Sequence, residues 1–265
     1  MNIELNLTQS LEENAGHYFD AAKKAKKKLA GAEKALQESR KKLKDLLEQE
    51  TQFLQQEEEK QLQKHSQRKG EWYEKFHLFI SSEGFLCIGG KDATSNEMVI
   101  KKHLDKDDLV FHTEMAGSPF FIVKEGQKAG EITLQEAAQA TAVYSRAWKL
   151  GHTQVDVFYV KPEQVSKEAK AGEYLSKGSF MIYGKKTSFF PKLEYALGVV
   201  EESGQLIGGS ASAVAKRTKN YVVIIPSAGN EKKSDVAKKI KAKLKYASLD
   251  EVMKFLPTGG SEVRK

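Results

Sequence analysis

Residues 165–186, VSKEAKAGEYLSKGSFMIYGKK, gather lysines, hydroxyls, glycines and tyrosines into one short segment. Across 161–192 seven Lys stand against three Glu, a local balance of +4. Gly172, Gly178 and Gly184 recur at intervals of six and let backbone approach a bulky partner. Lysines attract phosphate without regard to sequence. Tyr174, Tyr183, Phe189 and Phe190 offer rings on which bases can stack. Such a set suits contact with an RNA backbone and its loops, and it contains no nucleophile–base pair. A β-hairpin with solvated lysines is the plainer reading of the same composition.

Other chemistry is hard to find. The run GFLCIGGK at 84–91 is like a phosphate loop but fails as one. Its lysine comes one place too late, and Asp92 stands where the magnesium-binding hydroxyl belongs. Neither GxGxxG nor GxSxG occurs. Histidines at 17, 65, 77, 103, 112 and 152 lack metal-ligand spacing. His112 follows the apolar run 109–111 and precedes a Gly-containing turn, which suits a structural role or contact with a nucleotide. Asp105, Asp107 and Asp108 read as a helix-to-strand turn. The single cysteine, Cys87, sits among apolar neighbours and reads as a buried, inert thiol. No catalytic residue, metal site or cofactor is expected, and the chain reads as a non-enzyme.

The elements that must position these groups change character along the chain. With 265 residues and 40% hydrophobic content, it can fill a sizeable core. The net charge of +7 is uneven: +1 over 1–75, zero over 76–200 and +6 over 201–265, a distribution suited to a polyanionic partner. The polar N-terminus shows no signal peptide, and no apolar run reaches bilayer length, so a soluble cytoplasmic protein without membrane contact is expected.

The first 75 residues carry three Gly and no Pro. A heptad seam runs through Leu11, Tyr18, Ala25, Ala32, Ser39, Leu46 and Phe53, and through Ala15, Ala22, Leu29, Leu36, Leu43, Glu50 and Glu57, decaying after its first five or six turns. A weaker seam uses Leu62, His65, Lys69, Trp72 and Phe76. The pattern predicts a coiled-coil arm over 1–76, as a helical hairpin bending near 48–58 or as one unbroken helix. Thr8 or Ser10 would cap its start. Lys23, Lys24, Lys26, Lys27 and Lys28 share about 200° of helix surface, either solvated or facing RNA.

After Phe76 the pattern predicts strands at 77–81, 85–88, 109–113, 120–124, 155–160, 179–183 and 221–225. Helices are predicted at 95–104, 133–150, 210–218, 234–244 and 249–256, with Thr133 and Glu136 as a capping box. The fold class is α+β: a mixed, mainly antiparallel sheet with packed helices behind a long helical arm. The expected division is a core over 77–200, a basic α/β extension packing on it over 201–257, and a flexible tail over 258–265.

Three stretches carry a family resemblance. FISSEGFLCIGGKDATSNEMVIKKHL (79–104), DLVFHTEMAGSPFFIVK (108–124) and QVSKEAKAGEYLSKGSFMIYGKK (164–186) resemble the RNA-binding module of the NFACT family. This family includes the RqcH and NEMF ribosome quality-control factors, formerly described as fibronectin-binding-like. The resemblance covers about 72–200, and EWYEKF (71–76) after a basic coiled coil also fits. It implies binding to the large ribosomal subunit carrying stalled peptidyl-tRNA, with ribosomal RNA and tRNA as partners. It further implies support for the tRNA recruitment that extends the stalled chain with a C-terminal tail. Nothing here resembles the family's NFACT-N half, so the chain is expected to be a fragment or a short stand-alone member. A separate NFACT-N-containing partner would supply tail elongation. The alternative is a coiled-coil structural or adhesion protein.

The expected RNA-binding residues are Lys91, Lys101, Lys102, His112, Thr113, Lys161, Lys167, Lys170, Tyr174, Lys177, Lys185 and Lys186. The lysines would hold phosphates and Tyr174 would stack. A lysine-rich C-terminal helix over 232–245 would add auxiliary contacts.

Overall fold

The computed structural model describes residues 4–66, 71–168, 175–229, 231–246 and 248–264. The chain divides into two compact units, 1–60 and 61–265.

The first unit is dominated by helix α1 (Leu11–Ser66). Ser10 caps it: the Glu13 amide donates to Ser10 Oγ, and Glu13 Oε2 accepts from the Ser10 amide at 2.8 Å. Asn14 ties the preceding turn down, accepting from the Asn6 amide at 2.8 Å. The helix passes through 48–58 unbroken, so the hairpin bend is not formed. The reason is local. That stretch holds no Gly or Pro, and its Glu, Gln and Leu residues are good helix formers. Leu29, Leu36 and Leu43 of the heptad stripe are each more than half exposed. The weaker seam fails as a helix, because Trp72 and Phe76 lie beyond the end of α1. Trp72 stacks on His103 at 4.0 Å and Phe76 is buried, so both belong to the second unit.

That unit opens with the hairpin β1 (His77–Ile80) and β2 (Leu86–Gly89), followed by α2 (Ala93–His103), β3 (Leu109–Thr113) and β4 (Phe121–Val123). Next come α3 (Glu131–Val143), α4 (Arg146–Lys149), β5 (Val157–Val160), β6 (Val165–Ser166), β7 (Met181–Ile182) and β8 (Thr187–Phe189). Then follow β9 (Tyr195–Val199), β10 (Leu206–Gly209), α5 (Ala211–Arg217), β11 (Tyr221–Pro226), α6 (Lys233–Leu244), α7 (Leu249–Phe255) and β12 (Ser261–Val263).

Six strands form one sheet in the order β1-β2-β4-β3-β5-β8, and four form another in the order β10-β9-β11-β12. Their pairings are antiparallel, as is the small β6–β7 pair. Period-two alternation gives the first sheet two apolar faces. Ile88, Ile122, Val110 and Val160 stand in register across four strands and pack with Val99 and Ile100 of α2. Cys87, Phe111, Phe121 and Val157 fill the opposite face with α3, Trp148 of α4, and the second sheet's Tyr195, Leu197 and Ile224.

Four expectations are corrected here. The α3 cap does not come from a Thr133–Glu136 box. The helix starts at Glu131, and Glu83 of the β1–β2 turn accepts from the Thr133 amide at 3.0 Å. Glu136 instead is buried, accepting from the Ser82 amide at 2.8 Å and the Ser212 hydroxyl at 2.6 Å. The predicted helix 133–150 is two helices, divided where Ser145 caps α4. Residues 258–265 do not form a flexible tail throughout, because β12 pairs with β11 and the Trp148 indole donates to the Gly260 carbonyl at 3.1 Å. The boundary at 200 also cuts a β9–β10 hairpin, so 201–257 completes the core's second layer.

Candidate nucleic-acid interface

At one end of the six-stranded sheet, three separate segments close around a cavity of about 530 Å³. The first is the β2–α2 junction. Asp92 caps α2, taking the Ser95 amide at 2.8 Å, and Ser95 Oγ accepts the Lys91 and Asp92 amides at 2.8 Å each. This box fixes Lys91 and Asn96 on one wall. The second segment is the β3–β4 turn. Thr113 and Ser118 share a short hydroxyl contact, and the Asn96 side-chain oxygen accepts the Phe120 amide at 3.1 Å.

The third segment is 176–180. Lys167 Nζ donates to the Ser176 and Ser179 carbonyls at 3.1 and 3.0 Å and pairs with Glu97 at 3.0 Å. Gly178 makes the close approach possible. Its φ is +79°, and a Cβ there would lie 2.6 Å from the Ala93 Cα. Any other residue would therefore be strained and would collide with α2 backbone.

The lining holds two imidazoles and three charged side chains, Lys91, Lys177 and the capping Asp92. His77 stacks on Tyr144 at 3.6 Å. Burial, aided by the positive charges of Lys91 and Lys233, pulls its pKa down to about 3. His112 stacks on Phe120 at 4.0 Å, its Nδ1 lies 2.9 Å from the Pro119 carbonyl, and burial lowers its pKa despite that bond. At the mouth, partial burial and then the neighbouring Lys254 lower the pKa of Lys91, with Asp92 opposing. Lys177 is exposed.

The structure thus brings together Lys91, His112 and Lys177 of the expected set. Thr113 is buried with its hydroxyl engaged by Ser118 and Met115, so it braces the turn and presents nothing outward. Lys167 is occupied as the tether just described. Lys186 pairs with Glu114, and its Nζ lies 4.3 Å from the Phe158 ring centroid. Lys101 and Lys102 are exposed in the last turn of α2, away from the cavity lining, with Lys101 3.8 Å from Glu97. Lys161 and Lys185 are exposed on the β5–β8 side of the same unit. Lys170 and Tyr174 lie outside the described residues, as does Gly172. In α6, Lys233 donates to the Leu256 carbonyl at 2.8 Å, and Lys238 and Lys239 pair with Asp235 and Glu231.

Sequence reasoning missed His77, Asn96 and Phe180. One signal for His77 was available: a β1–β2 hairpin sets it opposite Gly89, next to the Gly90–Lys91 step. Among the described residues no three His, Cys, Asp or Glu side chains cluster to hold a metal, and no helix is long and apolar enough to cross a membrane. Cys87 is buried, and its thiol pKa is raised by that burial.

The second unit is α+β and presents a cavity lined by His77, His112, Lys91, Lys177 and Asp92. Residues 75–184 match the NFACT protein RNA binding domain, a span that takes in every wall of the cavity. The chain is 40% identical over 211 residues to the archaeal Rqc2 homolog aRqcH of Methanocaldococcus jannaschii, covering 77% of this chain and 31% of that protein. It is 40% identical over 184 residues to the human ribosome quality control complex subunit NEMF, covering 67% of this chain and 16% of that one. A solved structure, the C-terminal part of the fibronectin/fibrinogen-binding protein from Streptococcus suis, aligns with a TM-score of 0.39 at 17% identity over 48% of each chain. The chain belongs to the NFACT family, and it spans less than a third of the length of these curated relatives.

Proposed function

We propose that the 61–265 unit is the RNA- and ribosome-binding part of a ribosome quality-control factor. It engages large ribosomal subunits that carry stalled peptidyl-tRNA, through ribosomal RNA and tRNA, and supports tRNA recruitment for C-terminal tailing in the cytoplasm. It does so by binding alone, without catalysing a covalent step. The observation that carries this reading is the convergence of Lys91, His112 and Lys177 from three distant segments on one cavity. The cavity lies wholly inside the stretch matching an RNA binding domain. Relatives named for ribosome quality control support the cellular setting, and they leave the adhesion alternative the weaker reading.

The test is cosedimentation with purified large subunits bearing peptidyl-tRNA, across a salt series. Association at low salt that weakens as salt rises is expected. Absence of cosedimentation at low salt overturns the ribosome assignment.

A further inference from the structure

Resting on that RNA-binding reading, we propose that the cavity takes one unstacked nucleotide of the bound RNA, with the base inside and the phosphates at the mouth. Size is the first argument. A volume of about 530 Å³ falls within the range of roughly 300–1,000 Å³ for small-molecule sites. A base in a helix cannot reach such a cavity, whereas a base in a single-stranded loop can be splayed into it.

Charge layout is the second argument. His77 and His112 are held neutral inside, and of the charged side chains in the lining two are cations, Lys91 and Lys177, and one is the Asp92 carboxylate, already engaged as the α2 cap. A bare phosphate gains nothing from neutral imidazoles. A neutral heterocycle does, and it leaves its phosphates to the lysines.

Hydrogen-bond chemistry is the third argument. The Pro119 carbonyl can only accept, so His112 Nδ1 carries the proton and Nε2 is an acceptor. The Asn96 oxygen accepts from the Phe120 amide, which leaves the Asn96 Nδ2 donors. Neither Nε2 of His112 nor Nδ2 of Asn96 has a partner among the described residues. Base edges present N–H donors beside ring-nitrogen or carbonyl acceptors, the complement of this pair. Phe180, edge-on to Phe120 at 5.4 Å, adds an aromatic ring to the lining.

The experiment follows assigned imidazole NMR signals of the full chain. The probes are AMP, CMP, GMP and UMP, ribose 5-phosphate, a single-stranded RNA octamer and its fully paired duplex. Mononucleotides should shift the His77 and His112 signals saturably, and ribose 5-phosphate should not. The octamer should give the same shifts at about tenfold lower concentration, and the duplex should give none. Ala116 is an exposed lining residue. Ala116→Trp should abolish the shifts and weaken octamer binding about tenfold, with duplex binding unchanged. Should Ala116→Trp lose its native amide dispersion, Lys177→Ala should raise the mononucleotide concentration needed severalfold without abolishing the shifts.

Octamer binding with unmoved histidine signals overturns the nucleotide pocket and leaves RNA binding standing. Ribose 5-phosphate acting as well as AMP makes it a phosphate site and overturns the proposal. AMP binding as tightly as the octamer makes it a free-nucleotide site, with the same consequence. Loss of both octamer and duplex binding brings down the RNA-binding reading itself.

Discussion

The mouth of the cavity and the ground beside it use the same residue type for opposite ends. Beside the cavity, Lys167 and Lys186 are tied to protein. One bonds two loop carbonyls and Glu97, and the other pairs with Glu114 above the Phe158 ring. At the mouth, Lys91 and Lys177 form no ion pair among the described residues. The contrast teaches that lysine density marks a region and leaves the contact open. Which ammonium groups remain free for phosphate depends on where the folded chain puts its carboxylates and carbonyls.

The comparison breaks most severely at Gly178, where both regions depend on one backbone position. Gly178→Val should cost roughly 2–4 kcal/mol through a strained positive φ and a clash with α2. Thermal unfolding should show the loss, and RNA affinity should fall with it. An unaltered midpoint would mean that segment 176–180 sits elsewhere.

A second effect separates the two lysine pairs. Replacing Lys91 and Lys177 together with Ala should lower RNA affinity roughly tenfold. It should also reduce the log–log salt slope by about 1.4 on single strands, with the thermal midpoint unchanged. Fluorescence anisotropy across a salt series measures both. An unchanged slope would remove the mouth from the interface.

The neutral His77 gives a pH prediction. His77 titrates near 3 in the folded chain against about 6.5 when unfolded. Between these values the unfolded chain binds the extra proton. This contribution to stability is therefore fully present above about 6.5 and is lost as pH falls toward 3. At pH 5 the loss is about 2 kcal/mol. Urea unfolding at pH 5 and 7.5 should show it, and His77→Gln should flatten the dependence.

The smallest expected change sharpens the contrast from the other side. Lys167→Ala should lower the thermal midpoint by roughly 2–8 °C through its lost hydrogen bonds. The salt slope should stay as it is. A slope change equal to that from Lys91 would erase the distinction between tether and rim.

Local pattern made much of this fold readable. Strand β3 was legible to the residue, because an apolar run lies between an Asp turn and a Gly-Ser-Pro turn. What stayed hidden depends on distant partners. Strand β10 reads LIGG, with little of the usual β signal. Its Gly208 is there because a Cβ would strike the hydroxyl of Tyr195 on the neighbouring strand. Strand β12 is polar and short and has a place only because β11 offers an edge. The α3 cap escaped notice because its carboxylate lies fifty residues away in sequence. The same holds at the cavity. Lys91, His112 and Lys177 were legible as residue types in turn-rich sequence. Which lysines would be consumed, and that His77 would join the cavity lining, were set by the pairing of remote segments.

The cavity draws on residue 77 at one extreme and residue 180 at the other, with walls from three places between. No short piece of chain carries it, so whatever occupies it recognises the finished fold and ignores the open chain. By mass action, a ligand present at a hundred times its dissociation constant adds about 2.7 kcal/mol to the folding equilibrium. The amount of this protein that survives in a cell should then rise and fall with the supply of its target, since unoccupied molecules open more often and meet proteases more often.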